Sequence, residues 1–138
     1  MKTSGVIRRI DDLGSIILPK EVGAMYGLEN EVKTRFIDGS IAADGSILDG
    51  TGFKVTHEAT GVYIVKFDTP FYFSPPTIQT LVVDNPFFEP YGYKAEVVGT
   101  VTTRQFKFFT YEIKDHDLIM RDIPLEYFYV WGYKKPNE

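Results

Sequence analysis

The chain has 138 residues, a net charge of −4, a pI near 5.2, 43% hydrophobic and 15% aromatic residues, and no cysteine. That size fits one domain, or a small module joined to a domain of about 100 residues. The mild acidity excludes a global positive field that would draw the chain onto nucleic acid, and the missing cysteines exclude disulfides and thiolate metal sites. The first residues lack the continuous apolar core of a signal peptide, and no run approaches the ~18 apolar residues that span a bilayer. A soluble protein synthesised in the cytoplasm is expected, without membrane insertion and open to incorporation into a virion or another assembly.

In chain order, residues 3–10 read as a strand, 11–14 as a turn and 15–18 as a second strand stopped by Pro19. Pro19 suits the first position of a short helix over 20–26, and Gly27 suits its stop. Residues 32–37 form another strand candidate, ended by Asp38-Gly39. A unit this small cannot bury its own core and should pair with a copy of itself. Residues 2–22, KTSGVIRRIDDLGSIILPKEV, resemble the start of the AbrB/SpoVT swapped-hairpin family, keeping Gly5, Arg8, Asp11, Gly14 and Pro19 of its pattern. The resemblance implies an interleaved dimerisation module over residues 1–40, with a basic face that contacts DNA. This chain departs from the family at Ser15, Gly23 and Ala24, where arginines are usual, and the acidic and basic residues of 1–38 balance. Arg8, Arg9 and Lys20 remain as candidate DNA contacts, but the phosphate-neutralising charge that dominates DNA affinity is reduced.

Residues 39–49 are glycine-punctuated, with Ile41 and Ile47 as apolar marks, and they close the first module, open the second, or share a strand between both. A domain over 41–138 follows with no flexible linker. Strands at 53–56 and 62–67 alternate polar and apolar residues, with Phe53 and Val55, then Tyr63, Val65 and Phe67, on the buried side. The turn between them runs through 58–61, where Gly61 can take a positive φ. Further strands are predicted at 77–83, ended by Asp84-Asn85-Pro86, at 93–102 and 105–113 around a turn at Thr103-Arg104, at 118–121 as a short edge, and at 126–133. Regular short strands with turn signals predict an antiparallel β-sandwich, and the whole chain reads as mainly β. Residues 50–133 resemble, in strand pattern, the H-type lectin sandwich and small domains of phage fibres: VYIVKFDTPFYFSPPTIQTLVV, then VTTRQFKFF, then FYVWGY. That resemblance implies an oligomeric, non-enzymatic recognition domain, with no sugar-binding residue to carry over.

On the last strand Phe128 and Val130 take one side, and Tyr127, Tyr129, Trp131 and Tyr133 take the other. Two functional readings of that second side are open, a subunit interface, where Tyr and Trp are enriched, and a stacking platform for a sugar; plain core is the third. The loop 87–93, with Phe87, Phe88, Tyr91 and Tyr93, is the other candidate for ligand contact, because loops carry recognition. His57 and His116 lack partners spaced for a metal site, and Asp44 and Asp49 around Gly45 lack the repeated spacing of a calcium loop. No catalytic motif, metal site or cofactor is expected. The expected partners are further copies of the chain, with other assembly proteins or a surface glycan, and DNA for the alternative of an AbrB-type transcriptional regulator.

Overall fold

A computed structural model describes residues 32–84 and 92–136. The contacts divide the chain into Thr34–Lys134 and a second unit, Met1–Lys33 with Lys135–Glu138. The strands and short helix expected before residue 32 lie outside the described residues. The first unit is mainly β, and the described residues form nine strands: β1 (Lys33–Ile41), β2 (Ile47–Asp49), β3 (Phe53–Ala59), β4 (Val62–Phe67), β5 (Thr77–Val82), β6 (Gly92–Val98), β7 (Gln105–Lys114), β8 (Asp117–Met120) and β9 (Leu125–Lys134). No described residue is helical, so among them no helix is long and apolar enough to cross a membrane.

Four strands form one sheet in the order β2-β1-β9-β5, and the other runs β3-β4-β7-β6 with β8 also on β7. Strand β7 is long enough to hold two neighbours on one edge: β4 pairs with its first half, from Gln105 to Phe109, and β8 with its second, from Tyr111 to Lys114. Thr110 sits at that junction, fully buried; its N–H donates to the Gly61 carbonyl, and its hydroxyl donates to the Arg121 carbonyl. A buried hydroxyl must find a partner, and here it fastens both shorter strands to the same place.

The sheets pack face to face because alternate residues on both are apolar. Ile37, Ile41, Phe128 and Val130 of the first sheet meet Phe53, Tyr63, Val65, Phe106 and Phe108 of the second in one core. Phe53 meets Phe128 edge-on at 5.0 Å between ring centroids, and Phe106 meets it at 6.1 Å. Two glycines make room for rings at this level. A Cβ on Gly132 would lie 2.5 Å from Phe71, and one on Gly39 would lie 2.9 Å from Phe53 and 2.4 Å from the Asp49 carbonyl oxygen.

The buried phase of the β3–β4 hairpin is as the alternation predicts, with Phe53, Tyr63, Val65 and Phe67 all buried. Four boundaries differ. Strand β3 continues to Ala59 rather than stopping at Thr56, so the turn of the hairpin is Thr60-Gly61 alone. Asp38-Gly39 does not end a strand: β1 continues to Ile41, because Gly39 points inward beneath Phe53 and the chain has no need to turn there. Residues 34–40, expected in the N-terminal module, therefore belong to the sandwich unit. The β6–β7 connection is not a two-residue turn; β6 stops at Val98, Gly99 takes φ +70°, and the Thr102 side-chain oxygen caps the loop by accepting from the N–H groups of Arg104 and Gln105.

Candidate functional site

Among the described residues, the outward face of the β2-β1-β9-β5 sheet gathers a row of exposed and half-buried aromatic side chains. Strand alternation sends Tyr127, Tyr129, Trp131 and Tyr133 of β9 outward because Phe128 and Val130 are held in the core. The neighbouring strands extend this row. Phe36 of β1, 59% exposed, stacks on Tyr129 at 5.8 Å. On β5, Val82 lies opposite Tyr127, and Thr77 lies opposite Trp131. A bulge between Ile78 and Thr80 turns Gln79 outward as well, where its side-chain oxygen accepts from the Trp131 indole N–H at 3.2 Å. Trp131 meets Tyr133 edge-on at 5.9 Å.

Phe73 closes the row. Its ring lies almost parallel to Tyr133, 5.4 Å away at 4°, and is 66% exposed. The backbone that presents it is a three-residue γ-turn: Ser74 N–H donates to the Tyr72 carbonyl at 2.6 Å, with Phe73 at φ +47°. Positive φ for a bulky aromatic residue is costly and persists only where its surroundings fix it. Here Tyr72 N–H donates to the Tyr133 carbonyl, tying the turn to β9. Inside the same segment, Arg35 lies over the Phe71 ring at 4.0 Å and donates to the Pro70 and Thr69 carbonyls.

The face carries little charge: Asp49 at its β2 edge, opposite Ser40, and Asp38 on β1, which accepts a hydrogen bond from the Tyr127 hydroxyl at 3.3 Å. That contact and burial both push the Tyr127 phenol above its usual value, burial more. Such an aromatic face offers stacking and apolar contact with few directional bonds, and its Asp38 and Asp49 are carboxylates, which do not attract phosphates.

A second cluster lies elsewhere, around Asp122. Its Oδ1 accepts from Gly61 N–H at 2.7 Å, pairs with His57 Nε2 at 2.8 Å and lies 3.4 Å from the Tyr63 hydroxyl. The Tyr63 hydroxyl itself donates to the Ala43 carbonyl at 2.6 Å, and the His57 and Tyr63 rings stack at 4.7 Å. The Gly61 hydrogen bond, aided by His57, holds the Asp122 carboxyl below its usual range. Burial, then Asp122, pushes the Tyr63 phenol up to about 12. The cluster pins three connections together, the β1–β2 turn, the β3–β4 hairpin and the residues after β8. Its hydrogen bonds all run between these connections, which makes it a clasp.

Of the residues singled out in the sequence, Tyr127, Tyr129, Trp131 and Tyr133 do share one face. Tyr93 is not on a loop: it lies in β6 opposite Glu112, half-buried. Phe87, Phe88 and Tyr91, and the candidate DNA contacts Arg8, Arg9 and Lys20, lie outside the described residues. Asp44 of the calcium-like stretch accepts from the N–H and hydroxyl of Ser46, an ordinary Asx turn. His116 sits exposed in the β7–β8 turn at φ +70°. Among the described residues no group of three or more His, Cys, Asp or Glu is placed to hold a metal ion. The sequence reading missed Phe36 and Phe73. Phe36 was legible in the alternation of residues 34–38, whereas nothing local announces the turn that exposes Phe73. The chain matches no family model, no curated protein and no solved structure.

Proposed function

We propose that this chain is a non-enzymatic structural or recognition component of an oligomeric assembly, of the kind met in fibre, decoration or surface-binding proteins. The sandwich presents the aromatic face to a partner, and the AbrB-like segment that precedes residue 34 adds a second means of pairing chains. The observation that carries the reading is the continuous aromatic row of Phe36, Tyr129, Trp131, Tyr133 and Phe73 on one side of the sandwich. Contiguous exposed apolar patches on a small domain mark interaction sites. The strand pattern shared with H-type lectin and phage-fibre sandwiches supports the same reading.

The test is size-exclusion chromatography with light scattering on the wild type and on Trp131→Ala, each with and without a random DNA duplex at low salt. A stable wild-type oligomer that ignores the duplex, weakened in Trp131→Ala, is the expected result. Unchanged size in Trp131→Ala would remove the face from the assembly. A shift onto the duplex that salt reverses would replace this reading with a DNA-binding regulator.

A further inference from the structure

We infer that the occupant of the aromatic face is a second copy of this chain, packed face to face about a twofold axis, with Phe73 as the anchor of the contact; this rests on the assembly reading above. Three observations select a second copy. First, a self-paired face must not set like charges against each other; the two carboxylates of this one, Asp38, engaged by Tyr127, and Asp49, opposite Ser40 on β2, both lie toward its Tyr127 end, where the axis described below keeps each away from its copy. Second, the size of the face suits a modest pair: its strands of ten, nine, six and three residues, at ~3.3 Å per residue and ~4.8 Å spacing, cover roughly 440 Å² in plan, about half of the ~800 Å² per partner of a standard interface.

Third, the two ends of the face differ in a way that suits antiparallel pairing. At one end Phe73 stands out on Tyr133, presented by a strained γ-turn. At the other, Val82 and Tyr127 lie opposite each other in the sheet, 43% and 40% exposed. Six residues of β9, ~20 Å, separate the ends. A twofold axis lying in the plane of contact, perpendicular to β9 and passing between Tyr129 and Trp131, reverses β9 across the interface while keeping the β5 side over the β5 side. It sets each Phe73 on the partner copy's Val82–Tyr127 end. Large rigid aromatics seated in apolar surroundings are the usual anchors of such contacts, and holding Phe73 in advance at positive φ removes the cost of ordering it on association.

The chain has no cysteine, so a disulfide test has no background. The double variant Phe73→Cys with Val82→Cys, oxidised in dilute solution, should migrate as a covalent dimer on a non-reducing gel. Each single variant should stay monomeric on the gel, because the axis keeps identical positions apart. Linking by Phe73→Cys alone would put the axis elsewhere and overturn the arrangement. An oligomer by light scattering without any linking of the double variant would also overturn it while leaving the assembly reading intact. A wild type that is monomeric throughout would sink both. In parallel, Phe73→Gly should raise the melting temperature of the dissociated chain, by relieving the positive φ, and weaken association about tenfold or more. Unchanged association would remove Phe73 as the anchor.

Discussion

The two sheets of the sandwich share one core and treat their outer faces differently. The β3-β4-β7-β6 sheet mixes charge with rings: Lys54 pairs with Asp68, Lys107 with Glu58 and Lys94 with Glu96, around Phe109 and Tyr111. The β2-β1-β9-β5 sheet covers itself with rings. Exposed ion pairs add little to stability but keep a surface hydrated and discourage association, whereas a row of exposed aromatics is retained at a risk of aggregation unless something meets it. The asymmetry is that one outer face interleaves its rings with ion pairs and the other carries them in a row with little charge, although both rest on the same alternation of residues.

The comparison can be broken from the inside out. Phe108 is fully buried between the sheets, and Phe108→Ala should cost ~3–5 kcal/mol in chemical denaturation, destabilising both sheets together. A loss near zero would mean the sheets do not share the core described. Gly132→Ala places a Cβ 2.5 Å from the Phe71 ring, and the required shift should cost ~1–3 kcal/mol while disturbing the aromatic face that Phe71 backs. Tyr63 sharpens the picture of the clasp. Its phenol ordinarily ionises near 10.0 and in the fold near about 12, so the folded state stays protonated where the unfolded chain does not. The resulting stability is fully present below pH 10 and declines as pH rises from 10 to about 12. Urea midpoints measured across that window should fall with pH in the wild type, and the fall should be shallower in Tyr63→Phe. Smallest of all, Lys107→Ala on the β3-β4-β7-β6 sheet should change stability by at most ~0.5 kcal/mol and leave association untouched. An effect on oligomer size there would contradict the assignment of contact to the aromatic row.

Much of the fold is legible because burial on one side forces a period of two. Phe53, Val65 and Phe67, and later Phe128 and Val130, announce their strands and their buried side through nearest neighbours alone. What was not legible depends on residues distant in sequence. Asp38-Gly39 has the composition of a turn, and only the arrival of Phe53 over Gly39 explains why the strand continues. His57 looks like a lone histidine until Asp122 is brought beside it, and Tyr93 looks like a loop residue until Glu112 lies opposite. The four outward aromatics of β9 were visible as a set, but their extension by Phe36 and Phe73 required the neighbouring strand and an unusual turn. Local pattern thus located the face, and tertiary pairing set its extent.

The position of β9 has a consequence for how the protein comes into being. The last strand of the sandwich lies between β1 and β5, so the β2-β1-β9-β5 sheet has a gap at its centre until the chain has been made to Lys134. The β3–β4 hairpin, whose partners are adjacent in sequence, can form long before that. Closing the gap joins segments nearly a hundred residues apart, and such pairing is slow because loop-closure entropy must be overcome before any contact compensates it. During synthesis the flanks of β1 and β5 therefore wait with open backbone edges, and a chain truncated before Leu125 would keep them open indefinitely. Folding of this sandwich is licensed by its final strand, the same strand that carries the aromatic row outward.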